Sequence, residues 1–169
     1  MSRNESETVW NASDLDRFYV ENVQEGQPFA NEMRDIMLRI IGANEPTNGN
    51  AIAFLDVGCG GGVLSKSILD HYPDASGVLV DFSETMLDLA RSALKEKNRK
   101  VRFVRADLSK NDWIEKVDRS SFDAIVAGFA IRNFRTTDAS KREFYAQILD
   151  LLRPGGLFVN LELVGIASD

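Results

Sequence analysis

From residue 51 to residue 163 the chain alternates between two hydrophobic rhythms. Short apolar runs of strand length occupy 51–57, 77–81, 101–105, 122–127 and 157–163. Between them, apolar residues recur every three or four positions, the spacing of one helix face. These sets are Val63, Leu64, Ile68 and Tyr72; Met86, Leu87, Ala90 and Leu94; and Phe144, Ile148, Leu151 and Leu152. A weaker helical segment surrounds Trp113 and Ile114. Continuous apolar runs predict strands buried on both faces, and strand–helix alternation predicts a parallel sheet covered by helices. The run Val101-Arg102-Phe103-Val104-Arg105 is read as alternating, which predicts one wet face. Ser83 predicts a helix start, and Pro154-Gly155-Gly156 a helix stop followed by the fifth strand.

Upstream, the rhythm is helical only. Ser13 is a suitable N-cap for a helix carrying Leu15, Phe18, Tyr19 and Val23. A second helix is expected to start near Pro28, with Phe29, Met33, Ile36, Met37, Ile40 and Ile41 as one apolar stripe and Gly42 as a left-handed cap. Residues 43–50, with Pro46 and Gly49, read as a linker. The chain thus divides into a helical segment, 1–50, and an α/β core, 51–169.

Composition narrows the function classes. The 169 residues suit a single α/β unit. Lys plus Arg is 20 against 26 for Asp plus Glu, a net charge of −6, which argues against a nucleic-acid binder built on phosphate neutralisation. No apolar run approaches the roughly 18 residues of a membrane span, and the start of the chain is polar, so a cytoplasmic protein is expected. One cysteine, Cys59, fits a reducing compartment. No His/Cys/Asp cluster has metal-ligand spacing, so no metal is expected.

The chemistry concentrates after the first strand, in Asp56-Val57-Gly58-Cys59-Gly60-Gly61-Gly62. Open α/β sheets bind ligands beyond the carboxyl ends of their strands. Glycines at 58, 60 and 62 permit a tight turn and close backbone approach. A dinucleotide fingerprint, Gly-x-Gly-x-x-Gly, fails because its third glycine position holds Val63. The pattern Asp-x-Gly-x-Gly-x-Gly is met in full, and here the chain resembles the class I S-adenosylmethionine-dependent methyltransferases. Val80-Asp81-Phe82-Ser83-Glu84-Thr85-Met86-Leu87 is similar to that family's second motif, and Arg105-Ala106-Asp107-Leu108 to its third. Phe122-Asp123-Ala124-Ile125-Val126 is similar to the fourth, and Leu152-Arg153-Pro154-Gly155-Gly156-Leu157 to the turn before strand five.

The resemblance implies a Rossmann-like doubly wound parallel sheet with helices on both faces, lacking the usual last two strands. It implies S-adenosyl-L-methionine as cofactor, S-adenosyl-L-homocysteine as product and in-line methyl transfer to a small-molecule acceptor. The cofactor residues it points to are Asp56, Gly58, Cys59, Gly60, Gly62, Asp81, Phe82, Met86, Asp107, Leu108, Gly128 and Phe129. Asp81 suits both ribose hydroxyls, Asp107 the adenine amino group, and Cys59 a backbone N–H contact. Phe82 and Met86 could pack on the adenine, Met86 equally as helix core. Gly128-Phe129-Ala130-Ile131-Arg132-Asn133 is similar to the quinone-biosynthesis C-methyltransferases and makes Arg132 and Asn133 candidate substrate residues. Tyr19, on the first helix, is a third, if that helix folds over the cofactor as a lid. No general base stands out, and no residue is singled out as catalytic.

Two other functions remain open at this point. One is a module that binds the cofactor without transferring methyl, as a sensor or complex subunit. The other is an RNA-modifying methyltransferase, for which Lys95, Lys97, Arg99, Lys100, Arg102 and Arg105 are the basic run; a solvated helix end explains them more simply. Strand five, apolar at Leu157, Phe158, Val159, Leu161 and Leu163, leaves an edge that favours homo-oligomer formation or pairing with residues supplied from elsewhere.

Overall fold

The computed structural model describes residues 29–44, 51–117, 122–131 and 138–162. The predicted helix with Leu15, Phe18, Tyr19 and Val23 lies outside them. In chain order the elements are α1 (Ala30–Ala43), β1 (Ala53–Val57), α2 (Val63–His71), β2 (Ser76–Asp81), α3 (Glu84–Ala93), β3 (Val101–Arg105), β4 (Phe122–Gly128), α4 (Asp138–Leu151) and β5 (Leu152–Leu161). Two 3₁₀ segments, Lys95–Lys100 and Asn111–Lys116, flank β3.

The strands form one five-stranded sheet in the order β3-β2-β1-β4-β5, parallel throughout. The chain steps from β1 outward to β3, then returns to the other side of β1 for β4 and β5. Crossovers between parallel strands are right-handed, so the reversal moves the covering helices from one face to the other. The core divides accordingly. On one face Met37 and Ile41 of α1, Ile68 and Leu69 of α2, and Leu87 and Ala90 of α3 pack on Phe54, Leu79, Ala124 and Val126. On the other, Trp113, Val117, Phe144, Ile148 and Leu151 pack on Leu55, Val57, Val80, Val104 and Ile125. Trp113 is fully buried and donates its indole N–H to Gln147 at 2.7 Å, so the short 3₁₀ turn carries the anchor of that second layer.

Several boundaries differ from expectation. Gly42 is not a cap but lies within α1, which ends at Asn44 with ordinary right-handed angles. Its missing side chain makes room for Tyr72, whose hydroxyl oxygen would lie 2.8 Å from a Cβ there and which donates to the Leu38 carbonyl at 2.7 Å. The expected apolar stripe of α1 is only half used. Met37 and Ile41 are buried, whereas Phe29, Ile36 and Ile40 are exposed.

Strand five starts at Leu152, five residues earlier than the sequence suggests, because Pro154-Gly155-Gly156 sits in a bulge instead of ending a helix. Phe122 pairs with Leu152 and Ala124 with Leu157, so extra residues of β5 loop out between them. The Asn44 side chain donates to the Gly155 carbonyl at 2.6 Å and ties α1 to this bulge. Among the described residues β5 pairs only with β4, so the strand that reads as an interior one stands at an edge.

At the other end of the sheet Asp123 links three strand starts. Its carboxylate accepts the Ala53 N–H at 2.6 Å and forms an ion pair with Arg153 at 2.5 Å. One cross-strand pair sets the spacing of β1 and β2. Phe54 and Gly77 are partners, and the fully buried Phe54 ring fills the place a Gly77 side chain would take.

Gly77→Ala is therefore expected to destabilise the fold by about 1–3 kcal/mol, the cost of overpacking a core. Urea denaturation measures it. Repeating the substitution in a Phe54→Ala background should remove most of the added cost, because the ring it collides with is gone.

Candidate functional site

The reversal of strand order puts β1 beside β4, and the crevice at the carboxyl ends of these two strands is where an open α/β sheet receives a ligand. The turn leaving β1 enters it. Gly58, Gly60 and Gly62 adopt left-handed angles, with φ of 69°, 51° and 80°. Close packing adds a second requirement at Gly58, since a Cβ there would overlap the methyl of Ala130 in the loop after β4. The glycine pattern thus serves the approach of two loops as well as the approach of a ligand.

Hydrogen bonds fix this turn to the end of β2. The N–H groups of Gly58 and Cys59 both donate to the Val80 carbonyl, at 2.8 and 3.0 Å. The Gly60 N–H donates to Asp81 Oδ2 at 2.9 Å, while Asp81 Oδ1 accepts the Ser83 N–H at 2.9 Å. Ser83 in turn caps α3 through Met86 N–H, as expected. The expectation that Cys59 offers its backbone N–H to a ligand needs correction, because that N–H is committed to Val80. Its thiol is buried, and burial with the nearby Asp56 and Asp81 charges pushes its pKa well above normal, which keeps it a neutral packing group.

Three carboxyls, Asp56, Asp81 and Asp107, stand at the ends of β1, β2 and β3, and their surroundings differ. Asp56 is 1% exposed; burial pushes its pKa up to about 7 against the opposing hydrogen bonds from Ser65. The Ser65 hydroxyl donates to Asp56 Oδ2 at 2.6 Å, while Oδ1 is buried with no partner. Asp107 is partly open. Burial raises its pKa, but Ser109 N–H and hydroxyl on Oδ1, at 3.0 and 2.6 Å, and the Lys110 charge outweigh that and hold it below the usual value.

The remaining predicted residues gather at the same end. Phe82 is 37% exposed beside Asp81, an available aromatic face, whereas Met86 is 5% exposed within the first turn of α3. Leu108 is buried, 4.0 Å from where a Gly58 Cβ would stand. Gly128 ends β4 where a Cβ would meet Leu64 at 3.0 Å. Phe129 has a left-handed φ of 55° and donates its N–H to the Leu161 carbonyl at 2.9 Å. Tyr19, Arg132 and Asn133 lie outside the described residues. Ser65 is the site residue that sequence reasoning missed; its only signal was a small polar residue on the buried face of α2.

Chemically, this is an acidic crevice with glycine backbone, an open aromatic and one orphaned carboxylate oxygen. It suits a cationic ligand with hydroxyl groups and a flat ring. Such a set fits an S-adenosylmethionine-type cofactor, whose sulfonium and ammonium groups are positive. Among the described residues no group of three His, Cys, Asp or Glu could hold a metal ion, and no helix is long and apolar enough to cross a membrane.

A family described as "Methyltransferase domain" matches residues 54–156. A demethylmenaquinone methyltransferase of Leptospira interrogans is 35% identical over 114 residues, covering 64% of this chain and 42% of that protein. A malonyl-[acyl-carrier protein] O-methyltransferase of Halalkalibacterium halodurans is 34% identical over 107 residues, covering 63% of this chain and 37% of that protein. The chain thus spans about two-fifths of the length of these relatives. Among solved structures, the amino pentose methyltransferase CalS10 of Micromonospora echinaspora, with S-adenosylmethionine bound, matches at 26% identity and a TM-score of 0.65. That match covers 86% of this chain and 56% of CalS10.

Asp56 yields a test in the free protein. Its pKa is about 7 folded against 3.8 unfolded. Its stabilising contribution is therefore full below about pH 4 and lost as pH rises through about 7. Asp56→Asn should remove this loss, so the stability difference between the two chains should change steadily from pH 4 to pH 7 in chemical denaturation. A constant difference across that range would contradict a raised Asp56.

Proposed function

The chain belongs to the methyltransferase-domain family, and from that premise we propose that it transfers a methyl group from S-adenosylmethionine to a small-molecule acceptor. The observation that carries the reading is the left-handed glycine turn of β1 hydrogen-bonded to Asp81 at the strand-order reversal. When bound, S-adenosylmethionine supplies an electrophilic methyl group on a sulfonium centre and leaves as S-adenosylhomocysteine.

The chain's own residues would bind and orient. In this proposal Asp81 accepts from the ribose hydroxyls, Asp107 accepts from the adenine amino group and Phe82 covers the adenine face. Asp56 orders the cofactor from beneath the turn. Gly128 and Phe129, at the end of β4, border the side from which an acceptor approaches. Alignment of two reactants accounts for roughly 7–11 kcal/mol of a barrier, which lets such a site work by positioning and water exclusion. An acceptor of the quinone class is favoured by the Gly128–Asn133 hexapeptide and by the identity to the demethylmenaquinone methyltransferase.

Two observations weigh on the RNA alternative. Four of the six residues of the basic run are engaged within the fold: Lys97 bonds Asp70 and the Leu69 carbonyl, Lys100 the Pro73 carbonyl, Arg102 the Lys116 carbonyl and Arg105 the Phe82 carbonyl. Among the described residues no exposed aromatic lies within this run to interleave its charges, as single-strand binding would need.

A cytoplasmic location belongs to the same proposal, as does self-association through β5. The two helices that contact β5, α1 and α4, carry exposed apolar side chains, Ile36 and Ile40 on α1 and Tyr145 and Leu149 on α4, and Tyr145 lies edge-on to Phe158 of β5 at 6.1 Å.

Turnover of S-adenosylmethionine to S-adenosylhomocysteine, assayed against quinol and other small-molecule pools, tests the activity. Binding without turnover in any pool would favour the sensor reading. Asp81→Ala should weaken S-adenosylhomocysteine binding by about 1–3 kcal/mol in calorimetry, the range for a charged hydrogen bond, with unchanged affinity defeating the assignment. For the edge, light scattering across a dilution series should show mass rising with concentration, and Leu149→Glu should shift it toward monomer. A monomer at every concentration would overturn self-association.

A further inference from the structure

We propose that Ser65 is a positioning residue that holds one oxygen of Asp56 so that the other receives a cationic group of the ligand, and that ligand capture is thereby linked to release of a proton from Asp56. The inference rests on the methyltransferase reading for the identity of the ligand.

The geometry begins with two polar side chains in an apolar layer. Asp56 is 1% exposed and Ser65 is fully buried. The Ser65 hydroxyl donates to Asp56 Oδ2 at 2.6 Å. This bond is directed at the carboxyl from the first turn of α2, leaving Oδ1 as an orphan. Buried polar atoms in native proteins nearly always have partners, and an exception calls for an explanation. Here the missing partner is a donor that arrives from outside the chain, because the glycine turn that opens toward the ligand begins two residues after Asp56.

The surroundings say what the donor is. Opposite Asp56 in the sheet stand Leu79 of β2 and Val126 of β4, both apolar. From α1 the same core face receives Met37 and Ile41. The charge that acts on Asp56 is the Asp81 carboxylate, and the nearby Cys59 thiol is held neutral. Among the described residues Asp56 therefore meets a neighbour of like sign and no cation acting on it, which favours its neutral form in the free chain. A ligand ammonium at Oδ1 supplies both the missing donor and the missing positive charge and favours the carboxylate. The proton lost from the carboxyl passes to solvent buffer, and no covalent bond to carbon forms or breaks.

Ser65 sets the balance. Its hydroxyl bond favours the ionised form, so it brings the pair within reach of neutral pH, and it fixes which oxygen stays free. The chain's one histidine, His71, sits at the far end of α2 against the Tyr72 ring.

The experiment uses S-adenosylhomocysteine as probe, with calorimetry at pH 6, 7 and 8 in buffers of different ionisation enthalpy. In the wild-type chain affinity should weaken by about tenfold from pH 8 to pH 6, the slope of a single group titrating near 7. Heat differences between buffers should report proton release of up to one per ligand. Ser65→Ala should move the midpoint of this profile upward, so that affinity falls most at neutral pH and recovers on going alkaline. Asp56→Asn, which keeps the shape of the side chain, should bind weakly and without pH dependence over the same range. Carbon NMR of the Asp56 carboxyl in the free proteins gives the second reading, a near-neutral midpoint that rises in Ser65→Ala.

A purely structural Ser65 would lower affinity equally at all pH values and leave both midpoints in place, and that result overturns the proposal. So does a wild-type affinity independent of pH. Absence of S-adenosylhomocysteine binding at every pH, in a chain with the expected Asp56 titration, overturns the methyltransferase reading itself and the ligand assignment with it.

Discussion

A backbone that leaves a strand with left-handed angles at alternate residues has neither a helix nor a ladder to hold it. In this chain the end of β2 does so. The Val80 carbonyl takes two N–H groups of the β1 turn and the Asp81 carboxylate takes a third. Everything that makes the crevice follows from this attachment. It sets where α2 begins, and so where Ser65 meets Asp56. It also brings Gly58 against Ala130, which closes the β1 turn onto the loop after β4. Asp81 therefore has two duties, since the same carboxylate that would face a ribose already supports the turn and the start of α3.

Much of this was legible in the sequence because buried parallel strands leave plain signals. The runs at 51–57, 77–81 and 122–127 and the helix sets between them fall where the structure has β1, β2, β4, α2, α3 and α4. The Asp81 and Asp107 positions follow from strand ends, which are easy to read. What was not legible depends on partners distant in sequence. Gly42 looks like a cap until Tyr72 occupies the space beside it. Pro154-Gly155-Gly156 looks like a stop, but pairing with Phe122 draws Leu152 into β5 and turns the glycines into a bulge. Cys59 offers a free N–H on paper, and Val80 takes it. Ser65 escaped notice because a serine in a helix has many uses, and only the orphaned neighbour reveals this one.

The electrostatics of the crevice are uneven in an informative way. Asp107, half open and held by Ser109 and Lys110, is ionised under all ordinary conditions. Asp56, sealed in the apolar layer, is poised between its two forms. The three strand-end carboxyls therefore do not amount to a uniform negative patch. Charge at the outer rim is permanent, and charge at the floor depends on what else is present.

The Ala53–Asp123 bond spans seventy residues, and it bears on the order in which the chain leaves the ribosome. Synthesis delivers β1, β2 and β3 with their helices first, and this half can pair and cover one face. The second edge of β1 has no neighbour until β4 is made, and the layer over Leu55 and Val57, begun by Trp113 and Val117, is not complete until α4 follows. Non-local parallel pairing is slow and leaves apolar edges open to other chains. Asp123, at the head of β4, is among the first residues able to end that interval, because its carboxylate catches the free N–H at the start of β1 and sets the register for the rest of the strand.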